Sequence, residues 1–384
     1  MKILITVATY WPCKDGTQSV TQYQAEGLCA LGHSVTVITN THPNSQNEEI
    51  HNGVKIIRFP IINKHNLYFG DKKRYRKLLL SLQNEFDCLI NVSTESGYTE
   101  WILPILHIFK GKKILIEHGI SDWTLHKKDF TSFSNFIHSI WRCLRFGVLY
   151  TVMRRYLKEY NYVTNLHDFS HGISFFKNKC GIECQIIYNA VENIFFKSNN
   201  NTKRIENLPT KYLLCVSNYS IGKNQIDTLR AFYMSEITDS SIVFIGSSIN
   251  DYYKKLLQEN DILSRIYHKK LDIRFLYDVP REDIPIYVKN AEIAVMNSIS
   301  EHFPITVCEA MACGVPFIST NVGIVSYLPG VVIVNSVKDT AFWMKQLHNN
   351  PSVAKTLGQC GKAFALKNLQ IKDKVLQLNE LVIS

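Results

Sequence analysis

The stretch from Ser300 to Phe317, SEHFPITVCEAMACGVPF, sets two carboxylates, Glu301 and Glu309, on either side of a Phe-Pro step. Small and apolar residues follow the proline. Gly314 then stands where a helix end needs a residue free to turn left-handed. Pro304 suits the first position of a helix, where a missing N–H costs nothing. The spacing therefore predicts a helix over 305–313. The free N–H groups of Ile305, Thr306 and Val307 would point out of its start with the positive dipole end behind them, an anion site suited to phosphate. A carboxylate at position 301 would compete with that phosphate unless it met another part of the ligand. Glu309, deeper in the helix among small apolar residues, would be costly to leave unpaired. Vicinal hydroxyls donating to it would satisfy it. Hydroxyls, then phosphates, then hydroxyls describe a sugar nucleotide. The plainer reading has Glu301 capping the helix and Glu309 paired with a nearby lysine.

The sequence around this stretch predicts parallel α/β architecture. Ile3–Ala8 is a β-branched apolar run of the kind that forms a buried parallel strand. A loop, TYWPCKDGT, and a helix closed by Gly32 lead to a second strand, Ser34–Thr39. Further strands are expected at 54–58, 88–92, 113–117, 162–165 and 184–188. After a polar, Asn-rich stretch at 196–210, FKSNNNTKRIENLPT, the alternation restarts, with strands at 212–217, 241–246, 273–276, 293–296 and 315–319. A chain of 384 residues exceeds the about 250–300 at which single cores stop growing. The division expected is a first domain over 1–195, a linker over 196–210, a second domain over 211–365, and a C-terminal helix over 366–384 packing back on the first domain. Two Rossmann-like domains facing across a cleft would bind ligand at the carboxyl ends of their strands.

Two further stretches could carry chemistry. In VSNYSIGKNQIDTLRAF, 216–232, Lys223 stands between a strand end and a helix, placed to neutralise a diphosphate; a solvated loop lysine is the commoner case. In IEHGISDW, 116–123, His118 directly follows an apolar strand, although a lone histidine is more often structural.

Composition excludes several classes. With 46% hydrophobic and 20% charged residues the chain is neither disordered nor collagen-like. MKILITVATYW is too short for a signal h-region, and no apolar run reaches the length of a membrane span. The ten cysteines show no zinc spacing and read as the reduced thiols of a cytoplasmic protein. The net charge of +10 is concentrated in KKRYRK at 72–77 and in 110–158, where ten Lys/Arg face three acids. Within 134–160 arginines mix with aromatics in helical rhythm. Such a helix suits an anionic membrane surface, or is a core helix with a basic solvated face. No nucleic-acid motif accompanies the charge.

Together these stretches resemble the retaining glycosyltransferases of family 4, which have the GT-B fold and an E-x7-E motif, here Glu301 and Glu309 within SxxEhFPxxxxEAMAcGxPfixT. WPCKDGTQ with Gly16 resembles the family's glycine loop. LGHSVTVIT, IEHG, IIYNAVENIFF and FIGSS fall in the family's order, so that the resemblance spans about 1–365. It implies that Glu309 holds the donor ribose and that Glu301 lies near the donor sugar or its phosphate. It further implies that backbone N–H groups around Phe303 to Thr306, a stretch that includes Ile305 and the N–H-less Pro304, bind the diphosphate beside Lys223. Gly16 would let its loop approach the phosphates, and His118 would contact the donor sugar. The reaction implied is metal-independent transfer with retention, from a nucleotide-sugar co-substrate, UDP on family frequency, to a glycan or lipid-linked glycan. Cell-surface polysaccharide assembly, with contact at the inner face of an anionic membrane, is the setting implied. Two positions depart from the family: Asn218 where an arginine is usual, and His302 where glycine is usual. The first leaves Lys223 more of the leaving-group charge; the second would narrow the choice of sugar. The rival readings are a GT-B sugar-nucleotide epimerase and a non-catalytic sugar-nucleotide-binding protein.

Overall fold

The computed structural model describes residues 1–13, 15–43, 45–121, 123–125, 130, 133–197, 205–206 and 208–384. Lys14 of the glycine loop, Asp122, Lys127, Lys128 and Asp129 of the basic window, and 198–204 and 207 of the expected linker lie outside these. The chain forms two compact units, Met1–Tyr188 with Lys374–Ser384, and Asn189–Asp373.

In the first unit β1 (Lys2–Thr6), α1 (Gly16–Ala30) and β2 (Ser34–Thr39) open a doubly wound sheet, followed by β3 (Glu48–His51) and β4 (Val54–Arg58). A small hairpin of β5 (Ile62–Lys64) and β6 (Leu67–Phe69) leads into α2 (Lys72–Leu82). Then come β7 (Cys88–Val92), α3 (Gly97–Glu100), β8 (Lys112–Ile116), α4 (Phe133–Leu157), β9 (Tyr162–Asn165), α5 (His171–Phe175) and β10 (Gln185–Ile186). The strand order is β10-β9-β8-β7-β1-β2-β4-β3, parallel except for the β3–β4 edge pair. Every residue of β7 is buried, as befits a strand covered on both faces. One core cluster joins Ile3, Ile5, Val35, Val37 and Ile90 to Leu378 and Val382 of the C-terminal segment.

The second unit holds α6 (Asn193–Phe196), β11 (Tyr212–Val216), α7 (Gln225–Met234), β12 (Ser241–Gly246), α8 (Asp251–Ile266), β13 (Ile273–Tyr277) and α9 (Ile284–Asn290). It continues with β14 (Ile293–Met296), α10 (Ile305–Cys313), β15 (Phe317–Thr320), β16 (Val331–Val334), α11 (Val337–Asn349), α12 (Pro351–Asn368) and the start of α13 (Ile371–Ile383). Its six strands run in the order β13-β12-β11-β14-β15-β16, all parallel.

Three details differ from expectation. The strand read at 315–319 is Phe317–Thr320, because Val315 and Pro316 complete the turn after Gly314. The strand read at 184–188 shrinks to Gln185–Ile186. The first unit ends at Tyr188, not 195. Asn189 donates to the Phe303 carbonyl at 3.0 Å and Val191 to that of Leu369 at 2.9 Å, which ties this stretch to the second unit. All ten cysteines are free thiols. No helix among the described residues is long and apolar enough to cross a membrane.

Candidate functional site

In the second unit the strands proceed outward from β11 to β13 on one side and from β14 to β16 on the other. The order reverses between β11 and β14. Ligands of open parallel sheets bind beyond the strand ends at such a reversal. The loops leaving these two strands carry Lys223 and Glu301.

The loop after β11 is held from below. The Gln225 side chain donates to Ser217 Oγ at 2.7 Å and to the Asn218 carbonyl at 2.9 Å, leaving Asn218 itself exposed. Tyr219 donates to the Leu276 carbonyl at 2.7 Å, and its ring lies 2.3 Å from where a Cβ on Gly246 would be. The glycine of FIGSS thus makes room for that ring. Ile299 donates to the Gly222 carbonyl at 2.8 Å and joins the two loops.

The loop after β14 is equally determined. Asn297 bridges Thr228 at 3.0 Å and Thr340 at 2.8 Å, and Thr320 donates to the Ser298 carbonyl at 2.6 Å. Ile324 donates to the His302 carbonyl at 3.1 Å. Gly323, at φ +54°, sits so close that a Cβ would stand 2.1 Å from that carbonyl oxygen. Only glycine permits this approach, so Gly323 shapes the backbone of Glu301 and His302. Sequence reasoning passed over it, since a tertiary contact has no local signature.

Phe303 and Pro304 are buried and His302 is exposed. Pro304 is the cap residue before the helix, at ψ 118°, not its first position, and α10 runs from Ile305 to Cys313 as the spacing predicted. No described side chain caps α10, and Glu301 is not its cap. Instead Lys223 Nζ meets Glu301 Oε1 at 2.5 Å across the strand-order reversal. Ile305 and Thr306, at the uncapped start, are partly exposed.

Glu309, 1% exposed, is paired with arginine and not with lysine. The guanidinium of Arg281, from the loop after β13, donates to it and also to Glu192 at 2.7 Å, and lies 4.9 Å from the Phe195 ring centre. Burial pushes the Glu309 carboxyl upward while Arg281 pulls it back. Burial alone would lower the Arg281 guanidinium, but its two carboxylate partners outweigh that and raise it. Sequence analysis missed Arg281. The one available signal was that a buried acid needs a partner, and that need does not say where the partner lies in the chain.

The first unit holds the other two candidates. Gly16 is the first residue of α1, not the turn of a loop, and Asp15 caps the helix by accepting from Gln18 N–H at 2.8 Å. The Asp15 carboxylate therefore occupies part of a helix start that would otherwise favour an anion. His118 is half-buried after β8 and follows a fully buried carboxyl, Glu117. Thus the structure joins Lys223 to Glu301 and sets Glu301 through Glu309 on one loop and helix. Gly16 and His118 belong to the separate unit.

Glu117 gives a pH prediction. Burial pushes its carboxyl up to about 8, against the hydrogen bonds from Thr94 at 3.0 and 2.5 Å. Its ordinary value is 4.5. A raised acid stabilises the fold fully below its unfolded value and loses that contribution as pH rises through its folded one. Across this window each pH unit should weaken the wild-type fold by up to about 1.4 kcal/mol relative to Glu117→Gln. Melting curves of both proteins from acid to mildly basic pH check this. The variant should gain Tm over wild type as pH rises; parallel curves would contradict the shift.

Residues 196–352 match the family model described as glycosyl transferases group 1. A curated relative, an uncharacterized 42.6 kDa protein in the cps region of Klebsiella pneumoniae, is 41% identical over 71 residues. That stretch is 18% of each chain. Sucrose-phosphate synthase from Thermosynechococcus elongatus superposes with a TM-score of 0.76 at 18% identity, covering 99% of this chain and 98% of that one. HepE of Anabaena, solved with UDP and glucose, gives 0.68 at 15% identity over 100% and 99%. A glycosyltransferase from Rickettsia africae gives 0.70 at 14% identity over 99% and 97%. The fold is GT-B, and the family match on the second unit supports a glycosyltransferase.

Proposed function

We propose that this protein is a retaining glycosyltransferase of family 4 type. It would move a sugar from a nucleoside diphosphate donor, UDP favoured, to a glycan or lipid-linked glycan in cell-surface polysaccharide assembly. The observation that carries this reading is the Lys223–Glu301 pair across the strand-order reversal, beside the uncapped start of α10. A diphosphate placed there meets the N–H groups of Ile305 and Thr306, the helix dipole and the Lys223 ammonium. Glu309, about one turn further along the same helix and on the same face as Ile305, takes the ribose hydroxyls, with Arg281 yielding one carboxylate edge. The bond from the anomeric carbon to the diphosphate oxygen breaks, and its electron pair leaves with the diphosphate. Lys223 and the helix N–H groups stabilise that charge without a metal. The acceptor hydroxyl forms the new bond on the same face, and its proton leaves with the diphosphate. His302 borders the donor sugar and Asn218 the phosphates. We assign the first unit, which carries Gly16 and His118, to the acceptor. The cps-region description of the Klebsiella relative and the UDP and glucose of the HepE structure support the polysaccharide and UDP assignments.

Thermal shift against UDP-, GDP-, ADP- and dTDP-sugars tests the donor. A ligand at 100 times its Kd should add about 2.7 kcal/mol to the native state. One nucleotide class should shift Tm and the others should not; no shift with any class would contradict the proposal. Donor consumption without acceptor would mark an epimerase instead.

A further inference from the structure

The outward face of α4 is apolar where a surface helix should be polar. Ile137, Trp141, Leu144, Val148 and Val152 recur at steps of three and four and so share one face. They are exposed, Leu144 by 59% and Val148 by 60%. The opposite face, with Phe146, Leu149, Tyr150 and Leu157, fills the core of the first unit.

The β5–β6 hairpin extends this surface. Ile62 pairs with Phe69 and Lys64 with Leu67, which places these four side chains on one face, all exposed. On the other face Tyr68 donates to the Glu95 carbonyl at 2.6 Å. The turn is fixed to α4, because Trp141 Nε1 donates to the His65 carbonyl at 3.2 Å and Arg145 Nε to that of Asn66 at 2.8 Å. Ordered bonds thus hold two apolar faces side by side.

Cations frame the patch. From 130 to 158 the sequence has five arginines and lysines and no acid, with Glu159 the first to follow. Arg154, Arg155 and Lys158 close the C-terminal end of the stripe, exposed. Lys72, Lys73 and Lys77, also exposed, follow the hairpin on α2.

We propose that this face docks on an anionic bilayer, its apolar side chains entering the headgroup–acyl boundary and its basic rim meeting lipid phosphates. Exposed apolar side chains with a cationic surround match that boundary in both layers. A second copy of the chain would bring the same basic rim to each side of a self-complementary contact, like charge to like. The inference does not rest on the donor site.

Flotation of the full chain with vesicles tests it, using phosphatidylcholine alone or mixed with phosphatidylglycerol. The bound fraction should be roughly tenfold higher on the mixed vesicles at low salt and fall as salt rises. The double variant Leu144→Glu/Val148→Glu should lose most binding while keeping the wild-type melting temperature and its shift with donor nucleotide. Lys72→Glu/Lys73→Glu should lose the preference for phosphatidylglycerol. No capture of wild type by the mixed vesicles, or equal capture of the Leu144/Val148 variant, would overturn the proposal. So would sedimentation showing a wild-type dimer that the same variant converts to monomer, without vesicle capture of either.

Discussion

Lys223→Ala should lower kcat for sugar transfer by about two to three orders of magnitude, the range for removing one preorganised charge stabiliser. The donor KM should change much less, because charge on the diphosphate grows as the glycosidic bond breaks. Two effects add. The leaving group loses its ammonium, and Glu301, whose carboxylate Lys223 holds at 2.5 Å, is left unpaired beside the departing phosphates. Lys223→Ala combined with Glu301→Gln should therefore recover part of the rate lost by Lys223→Ala alone. Lys223→Arg should recover less than its charge suggests, since a planar guanidinium cannot repeat the geometry of a compact ammonium. Initial rates of UDP release at saturating donor separate these cases. A Lys223→Ala variant within about threefold of the wild-type kcat would remove Lys223 from charge stabilisation.

The second large effect is on binding. Glu309→Ala should raise the donor Kd by about tenfold to a hundredfold or more, because a hydrogen bond to a charged group contributes roughly 1.5–3 kcal/mol. The loss should be the same for any sugar attached to the nucleotide, since the ribose and not the sugar is held there. Glu309 is buried and neutralised by Arg281, so its removal also leaves Arg281 with Glu192 alone. Melting temperature must therefore be followed beside Kd, and Glu309→Gln keeps the shape while removing the charge. Titration calorimetry with UDP reads the affinity. A folded Glu309→Gln that binds UDP as tightly as wild type would show that Glu309 serves only as the partner of Arg281.

The parts of this site that were legible in the sequence are local ones. The helix from Ile305 to Cys313 was marked at both ends, by Pro304 and Gly314, and the two glutamates fall on a spacing that needs no tertiary information. The alternation of β-branched runs with helical periods gave both sheets, because buried parallel strands must be apolar along their whole length. What stayed hidden depends on contacts between distant segments. Arg281 reaches Glu309 from another loop, and nothing in VPREDIP indicates that its arginine turns inward. Gly323 matters through the carbonyl of His302. The unit boundary at Tyr188 was hidden because the polar Asn-rich stretch looked like the natural break, whereas Asn189 and Val191 already bond to the second unit. The apolar stripe on α4 was readable as a helical rhythm, but not which of its two faces the core would take.

The most direct test of the account is a crystal structure of the protein with UDP bound. The account places the diphosphate at the N–H groups of Ile305 and Thr306, within reach of Lys223 Nζ. The ribose hydroxyls should lie on Glu309, with Arg281 moved off the carboxylate edge they occupy. Nucleotide density away from the start of α10, with the Lys223–Glu301 and Arg281–Glu309 pairs unchanged, would contradict it.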